Sequence, residues 1–90
     1  MTYTLRYSKK ADKQLSKLDA QTSKIIVAWL TKNIKGCEDP RAIGGSLKAG
    51  LKDRWRYKVG SYRVLVKIDD EELVVLAVQI GHRKEVYKRS

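Results

Sequence analysis

Asp53-Arg54-Trp55-Arg56-Tyr57-Lys58-Val59-Gly60-Ser61-Tyr62-Arg63-Val64-Leu65-Val66-Lys67-Ile68 decides the fold. Charge and bulk alternate at period two, cross a Gly-Ser pair, and alternate again. Two β-branched and aromatic runs separated by Gly-X predict a β-hairpin, with glycine supplying the positive φ of a tight II′ turn. A two-residue loop at Gly60-Ser61 fixes the register. Val59 faces Tyr62, Lys58 faces Arg63, Tyr57 faces Val64, Arg56 faces Leu65, Trp55 faces Val66 and Arg54 faces Lys67.

Side chains alternate across a strand, so this register sorts the ribbon into two faces. Trp55, Tyr57, Val59, Tyr62, Val64 and Val66 form a core face. Arg54, Arg56, Lys58, Arg63 and Lys67 surround the single apolar Leu65 on the other. Like charges directly opposite one another destabilise a sheet by a few tenths to about 1 kcal/mol per pair. Lys58/Arg63 and Arg54/Lys67 are both such pairs. Exposed strands also carry Lys and Arg for solvation alone, but a face needing only solubility would mix in Glu or Thr. An all-cationic face points to a polyanion.

Outward from the hairpin, the composition sets the class. Ninety residues with 42% hydrophobic content make one domain, spanning 1–90, with one core. Twenty Lys and Arg against ten Asp and Glu give a formal charge of +10, which predicts attraction to nucleic acid or anionic surfaces. No apolar run approaches the ~18–20 residues of a membrane span, and Met1-Thr2-Tyr3 does not open a signal peptide. Cys37 alone cannot form an internal disulfide, and one cysteine with one histidine cannot make a structural zinc site. The chain reads as cytoplasmic, with no cofactor and no metal.

Before the hairpin, Tyr3 to Tyr7 alternates as a short strand with Tyr3, Leu5 and Tyr7 on its apolar side. Ser8 is a good N-cap, and Ala11, Leu15 and Leu18 follow at helical spacing. Asp19 ends this helix or caps the next, predicted from Thr22 to Lys35 and closed by Gly36. Such helices joined by a few residues form a helical hairpin. From Cys37 to Leu51 periodicity fails, which predicts an irregular crossover pinned by Leu47 and Leu51. After the hairpin, Asp69 to Glu72 is a charged turn. Leu73 to Ile80 is an apolar run typical of a strand covered on both faces, and Gly81 ends it before a basic tail. The order is β-α-α-β-β-β: an α+β domain, a helical hairpin packed on one face of a four-stranded, mainly antiparallel sheet. The first strand falls at an edge or beside the last.

The element order, the length, the run Trp55 to Leu65 and the ending Ile80-Gly81-His82-Arg83-Lys84-Glu85-Val86-Tyr87 together resemble the RelE/ParE toxin superfamily, and within it the RelE-like mRNA interferases. The ending is the more discriminating motif, because gyrase-poisoning ParE relatives generally lack it. The resemblance implies the toxin of a type II toxin–antitoxin system, wrapped by a RelB-like antitoxin in a hetero-oligomer. It also implies a ribosome-dependent endoribonuclease that cleaves mRNA in the A site without a metal. On this resemblance Arg54 and Arg56 match the family's basic residues on the second strand, Arg63 its third-strand arginine, Arg83 the arginine after the last strand and Tyr87 the C-terminal tyrosine. Some relatives carry lysine at both second-strand positions; arginine, whose guanidinium holds its proton far more tightly, is a poor proton acceptor there.

Metal-free cleavage needs a base for the 2′-OH, cations for the phosphorane and an acid for the leaving 5′-oxygen. Guanidinium forks match phosphate oxygens, which suits Arg56, Arg63 and Arg83, with Arg54 and Lys67 on neighbouring phosphates. His82 is the first candidate for proton transfer, since histidine ordinarily titrates near pH 6.5. Lys58, set among cations on the hairpin face, is the alternative and otherwise an RNA contact. Tyr87 suits stacking on a splayed base. A gyrase-inhibiting ParE-type toxin and a non-enzymatic basic RNA- or ribosome-binding protein remain the competing readings.

Overall fold

The computed structural model describes residues 1–47 and 52–82. The elements are β1 (Thr4–Tyr7), α1 (Lys9–Lys17), α2 (Ala20–Asn33), β2 (Gly45–Ser46), β3 (Arg54–Val59), β4 (Tyr62–Asp69) and β5 (Val74–His82). The sheet has five strands in the order β1-β5-β4-β3-β2. β1 runs parallel to β5, and every other neighbouring pair is antiparallel. The α+β class therefore holds, with one strand more than the four expected.

The extra strand is β2, where Gly45 pairs with Arg56 and Ser46 with Trp55. Two residues carry too little periodicity to show in a sequence, so the stretch reads as loop. Packing explains why it lies against β3. Trp55 Nε1 donates to the Ile43 carbonyl at 2.8 Å, and the Tyr57 hydroxyl donates to the Pro40 carbonyl. Gly44 sits between them at φ +85°, where a Cβ would come within 2.3 Å of the Arg56 carbonyl oxygen and 2.8 Å of the Trp55 and Tyr57 side chains. Only glycine fits that position. Leu47 donates its N–H to the Arg54 carbonyl; Leu51 lies outside the described residues.

The β3–β4 hairpin has all six cross-strand pairs of the expected register. Gly60 takes φ +60° while Ser61 stays out of the left-handed region, as a II′ turn requires. Both helices begin at side-chain caps. Ser8 Oγ accepts from the Ala11 N–H at 3.0 Å, and Asp19 Oδ2 accepts from the Thr22 N–H at 3.1 Å. Asp19 thus starts α2 two residues ahead of Thr22. Thr22 also donates its hydroxyl to Asp19, and these bonds hold the Asp19 carboxyl below the usual range.

One core lies between the helices and the sheet. Leu15, Ile26, Leu30 and Ile34 from the helical side meet Tyr57, Val64, Val66, Ile68, Val75, Ala77 and Ile80 from the strands. Burial of each Leu, Ile or Val side chain contributes about 1.5–3 kcal/mol. Trp29 and Tyr57 join the layers, with ring centroids 5.7 Å apart. The helices cover one face only. Val75 and Ala77 are buried beneath them, while Val74 and Leu76 stay half-exposed on the far side of β5. The apolar run is therefore not covered on both faces. Gly81 does not end β5 either: the strand continues through it to His82, which pairs with Tyr62. No described helix is long and apolar enough to cross a membrane.

Candidate functional site

The open face is laid out in rows that follow the register. Lys58 stands beside Arg63, which stands beside Gly81. Arg56 stands between Gly45 and Leu65, with Gln79 beyond. Arg54 stands beside Lys67, then Leu76, then Arg6 on β1. Arg54, Arg56, Lys58, Arg63 and Lys67 thus share one face, as the alternation requires, and Arg6 joins them. Arg6 was legible in principle: Tyr3, Leu5 and Tyr7 on the apolar side leave Arg6 on the other.

These cations are held differently. Arg54, Lys58 and Lys67 are exposed, with the Arg54 Nε 3.7 Å from the carboxylate of Asp53 beside it. Arg56 is half-buried; its guanidinium lies over Gly45, about where a side chain would stand, and donates to the Ser46 carbonyl at 2.9 Å. Arg63 is only 6% exposed and its Nη1 is 3.4 Å from the Tyr62 carbonyl. It occupies the central strand β4, with Lys58 on one side and the side-chain-free Gly81 on the other. Leu65, two residues along β4, is buried as well. Sheet geometry makes Arg56 and Arg63 diagonal neighbours, about 7–8 Å apart at their backbones. One anion can be shared between guanidiniums so placed.

His82 is set apart from this group. Its partner in the register is Tyr62, and the rings meet edge to face with centroids 5.6 Å apart. Tyr62 belongs to the helix-side face, so β5 delivers His82 to the opposite side of the sheet from Arg63. The cause is the alternation itself: Gly81 faces with Arg63, and the next residue faces away. Arg83 and Tyr87 lie outside the described residues. No group of three or more His, Cys, Asp or Glu among the described residues could hold a metal ion. Cys37 is half-buried and free, and burial pushes its thiol up.

A second polar cluster ties the end of the sheet. Arg41 grips Asp70 through two bonds of 3.0 Å and donates its Nε to the Lys52 carbonyl at 2.9 Å. Tyr3 donates its hydroxyl to the same carboxylate at 2.6 Å. These donors, Arg41 first, hold the Asp70 carboxyl below its ordinary value, and the carboxylate in turn pushes the Tyr3 phenol up. Here an arginine serves the fold: bidentate, neutralised and fixed.

The family model for the ParE toxin of type II toxin-antitoxin systems, parDE, matches residues 5–87. The chain belongs to this family. It is a RelE-like toxin of a type II toxin–antitoxin system. Toxin RelG of Mycobacterium tuberculosis is 29% identical over 89 residues, covering 99% of this chain and all of the relative. The toxin–antitoxin complex RelBE2 of the same organism matches in structure with a TM-score of 0.79 at 28% identity, over 92% of this chain and 93% of the other. A double mutant of Escherichia coli toxin RelE in the free state gives a TM-score of 0.75 at 28% identity, over 98% of this chain and 93% of the other. The toxin's fold and its cationic hairpin are therefore seen together in one family member.

Proposed function

We propose that this toxin is an endoribonuclease that cleaves mRNA on the ribosome, in the A site and without a metal, using the RNA's own 2′-OH as nucleophile. One observation carries the reading: the hairpin register gathers Arg54, Arg56, Lys58, Arg63 and Lys67 on the face opposite the helices, with the strand-central Arg63 nearly buried there. A scissile phosphate over Arg56 and Arg63 matches the donor forks of both guanidiniums. A base takes the proton of the 2′-OH, the oxygen attacks phosphorus, and the P–O5′ bond breaks as an acid protonates the leaving oxygen. The products are a 2′,3′-cyclic phosphate and a 5′-hydroxyl. Arg56, Arg63 and Arg83 neutralise the phosphorane, where preorganised donors contribute most. Arg54 and Lys67 hold neighbouring phosphates, and Tyr87 stacks on a displaced base.

For the proton, the face assignment favours Lys58 over His82. Lys58 is Arg63's own neighbour in the register, whereas His82 stacks on Tyr62 across the sheet. The toxin would be held inactive by a RelB-like antitoxin in a hetero-oligomer. The solved toxin–antitoxin complex RelBE2 supports this, and so does a surface of +10 that suits an acidic, partly disordered segment folding on contact.

The test is cleavage of mRNA on programmed ribosomes by the purified chain, with the new ends sequenced. The expected result is A-site cuts bearing a 2′,3′-cyclic phosphate, lost in Arg63→Ala and reduced in Lys58→Ala more than in His82→Ala. Cuts lacking the cyclic end would overturn the 2′-OH route. One rival is a gyrase inhibitor, which the resemblance to ParE toxins keeps open; inhibited DNA supercoiling with intact mRNA would decide for it. Salt-sensitive RNA binding without any cleavage would leave a non-enzymatic binder.

A further inference from the structure

The open face does not end at the hairpin. Beyond Lys67 it descends into a cleft of about 440 Å³ lined by Arg6, Lys67, Asp69, Glu72, Val74 and Leu76, within the roughly 300–1,000 Å³ typical of ligand pockets. Its parts come from three strands and a turn, brought together by the parallel pairing of β1 with β5. The floor is the half-exposed Val74 and Leu76, on the side of β5 away from α1 and α2. Arg6 and Lys67 flank Leu76 from either side in one cross-strand row. At the rim, Asp69 Oδ1 accepts the N–H groups of Glu71 and Glu72 at 3.1 and 3.0 Å, so this carboxylate is fixed by the turn it closes. Glu72 is exposed beside it.

We propose that this cleft is a nucleotide subsite that selects bases carrying an exocyclic amine. The inference rests on the RNA reading above and extends it past Arg56 and Arg63 to the far end of β4. Lys67 lies four residues along β4 from Arg63, roughly 13 Å at ~3.3 Å per residue. That span is too long for one phosphate and suits the next part of a bound strand. Arg6 and Lys67 take the phosphate, the apolar floor takes the face of the base, and the rim carboxylates accept from its amino group. Carboxylates accept from the amines of cytosine and its like; uracil offers carbonyl oxygens there, which the carboxylates repel. A site for phosphate alone would have no use for an apolar floor or for two acids.

The experiment is an NMR titration of the ¹⁵N-labelled full chain with cytidine, adenosine and uridine 5′-monophosphates and with inorganic phosphate. Cytidine and adenosine monophosphates are expected to shift the amides of Arg6, Lys67 and Leu76 together, at least several-fold more tightly than uridine monophosphate or phosphate. Arg6→Glu should weaken this binding by tenfold or more. Glu72→Gln should remove the preference among bases while keeping phosphate-dependent shifts. Equal responses to all four probes, or shifts at Arg56 and Arg63 only, would overturn the proposal. Because no cleavage is read, loss of the ribonuclease reading would show in the ribosome assay and not here.

Discussion

Strand β4 presents two chemistries one residue apart. Towards the helices it sends Val64, Val66 and Ile68, all essentially buried and all apolar. Towards the open side it sends Arg63, Leu65 and Lys67, and the first two are nearly as buried. The helix side is what the hydrophobic effect alone would choose. The open side is not: an arginine 6% exposed beside a lysine is a poor choice for stability. The two sides of one strand thus differ in residue type more than in burial.

Neighbouring truncations separate the two sides most sharply. Arg63→Ala is expected to lower cleavage by on the order of 10²–10³, the usual consequence of losing one transition-state donor. Its melting temperature should stay within about 4–8 °C of the parent, equivalent to about 1 kcal/mol in a domain of this size. Val64→Ala should do the reverse: roughly 2 kcal/mol of stability lost to transfer and cavity terms, with cleavage per folded molecule retained. Thermal melts and single-turnover cleavage on the same preparations check both. If Arg63→Ala unfolds the chain while keeping its specific activity, the distinction between the sides collapses.

Two glycines extend the contrast to the backbone that frames the open side. At Gly44 a methyl group meets the Arg56 carbonyl and the Trp55 and Tyr57 side chains in addition to φ +85°; at Gly60 the turn is equally left-handed, at φ +60°, but the space is empty. Gly60→Ala should therefore cost about 1–2 kcal/mol, the conformational term alone. Gly44→Ala should cost about 3 kcal/mol or more, since overlap is added to strain and β2 must leave β3. Urea titrations of the pair measure the difference. Equal losses would mean that β2 contributes nothing to holding Arg56 in place.

How much of this could be read beforehand follows the same division. The hairpin register was legible because Gly60-Ser61 leaves one pairing, and alternation then assigns every side chain. The caps at Ser8 and Asp19 were legible for a similar local reason. β2 was not, because two residues have no period, and what holds them is contact with Trp55 and Tyr57 rather than propensity. The side taken by His82 depends on β5 running on through Gly81, which glycine leaves open in the sequence; one residue more turns His82 towards Tyr62. The cleft around Arg6 needed β1 beside β5, a long-range parallel pairing that local pattern leaves undetermined between an edge and the last strand.

The helix side itself holds one polar flaw. The Tyr7 hydroxyl is buried with no hydrogen-bond partner among the described residues, and burial, with Asp12 adding to it, pushes its phenol up. An unsatisfied buried hydroxyl costs free energy that its removal recovers. Tyr7→Phe should raise stability by roughly 0.5–1 kcal/mol and leave cleavage unchanged. A loss of stability in denaturant titration would show that the hydroxyl is satisfied in solution, and that the helix side is less purely apolar than its neighbours on β4 suggest.

Arg41 offers the smallest and most specific test, since its guanidinium is tied to Asp70 and to the Lys52 carbonyl. Its partner Asp70 has a carboxyl held below the unfolded value of about 3.9, by the Arg41 bond first and the Tyr3 bond second. A depressed carboxyl contributes stability that is full above the unfolded value and disappears as pH falls through the folded one. The chain should therefore lose this contribution below about pH 4. The side chain of Asp70 is 54% exposed, so solvent screening limits the effect to about 0.5 kcal/mol. Asp70→Asn should flatten that part of the acid limb in melts taken from pH 6 to 3, and Arg41→Ala should flatten it likewise. An acid limb unchanged in both would mean that the pair is no more anchored than the cations of the open face, and the contrast between structural and functional arginines would need another basis.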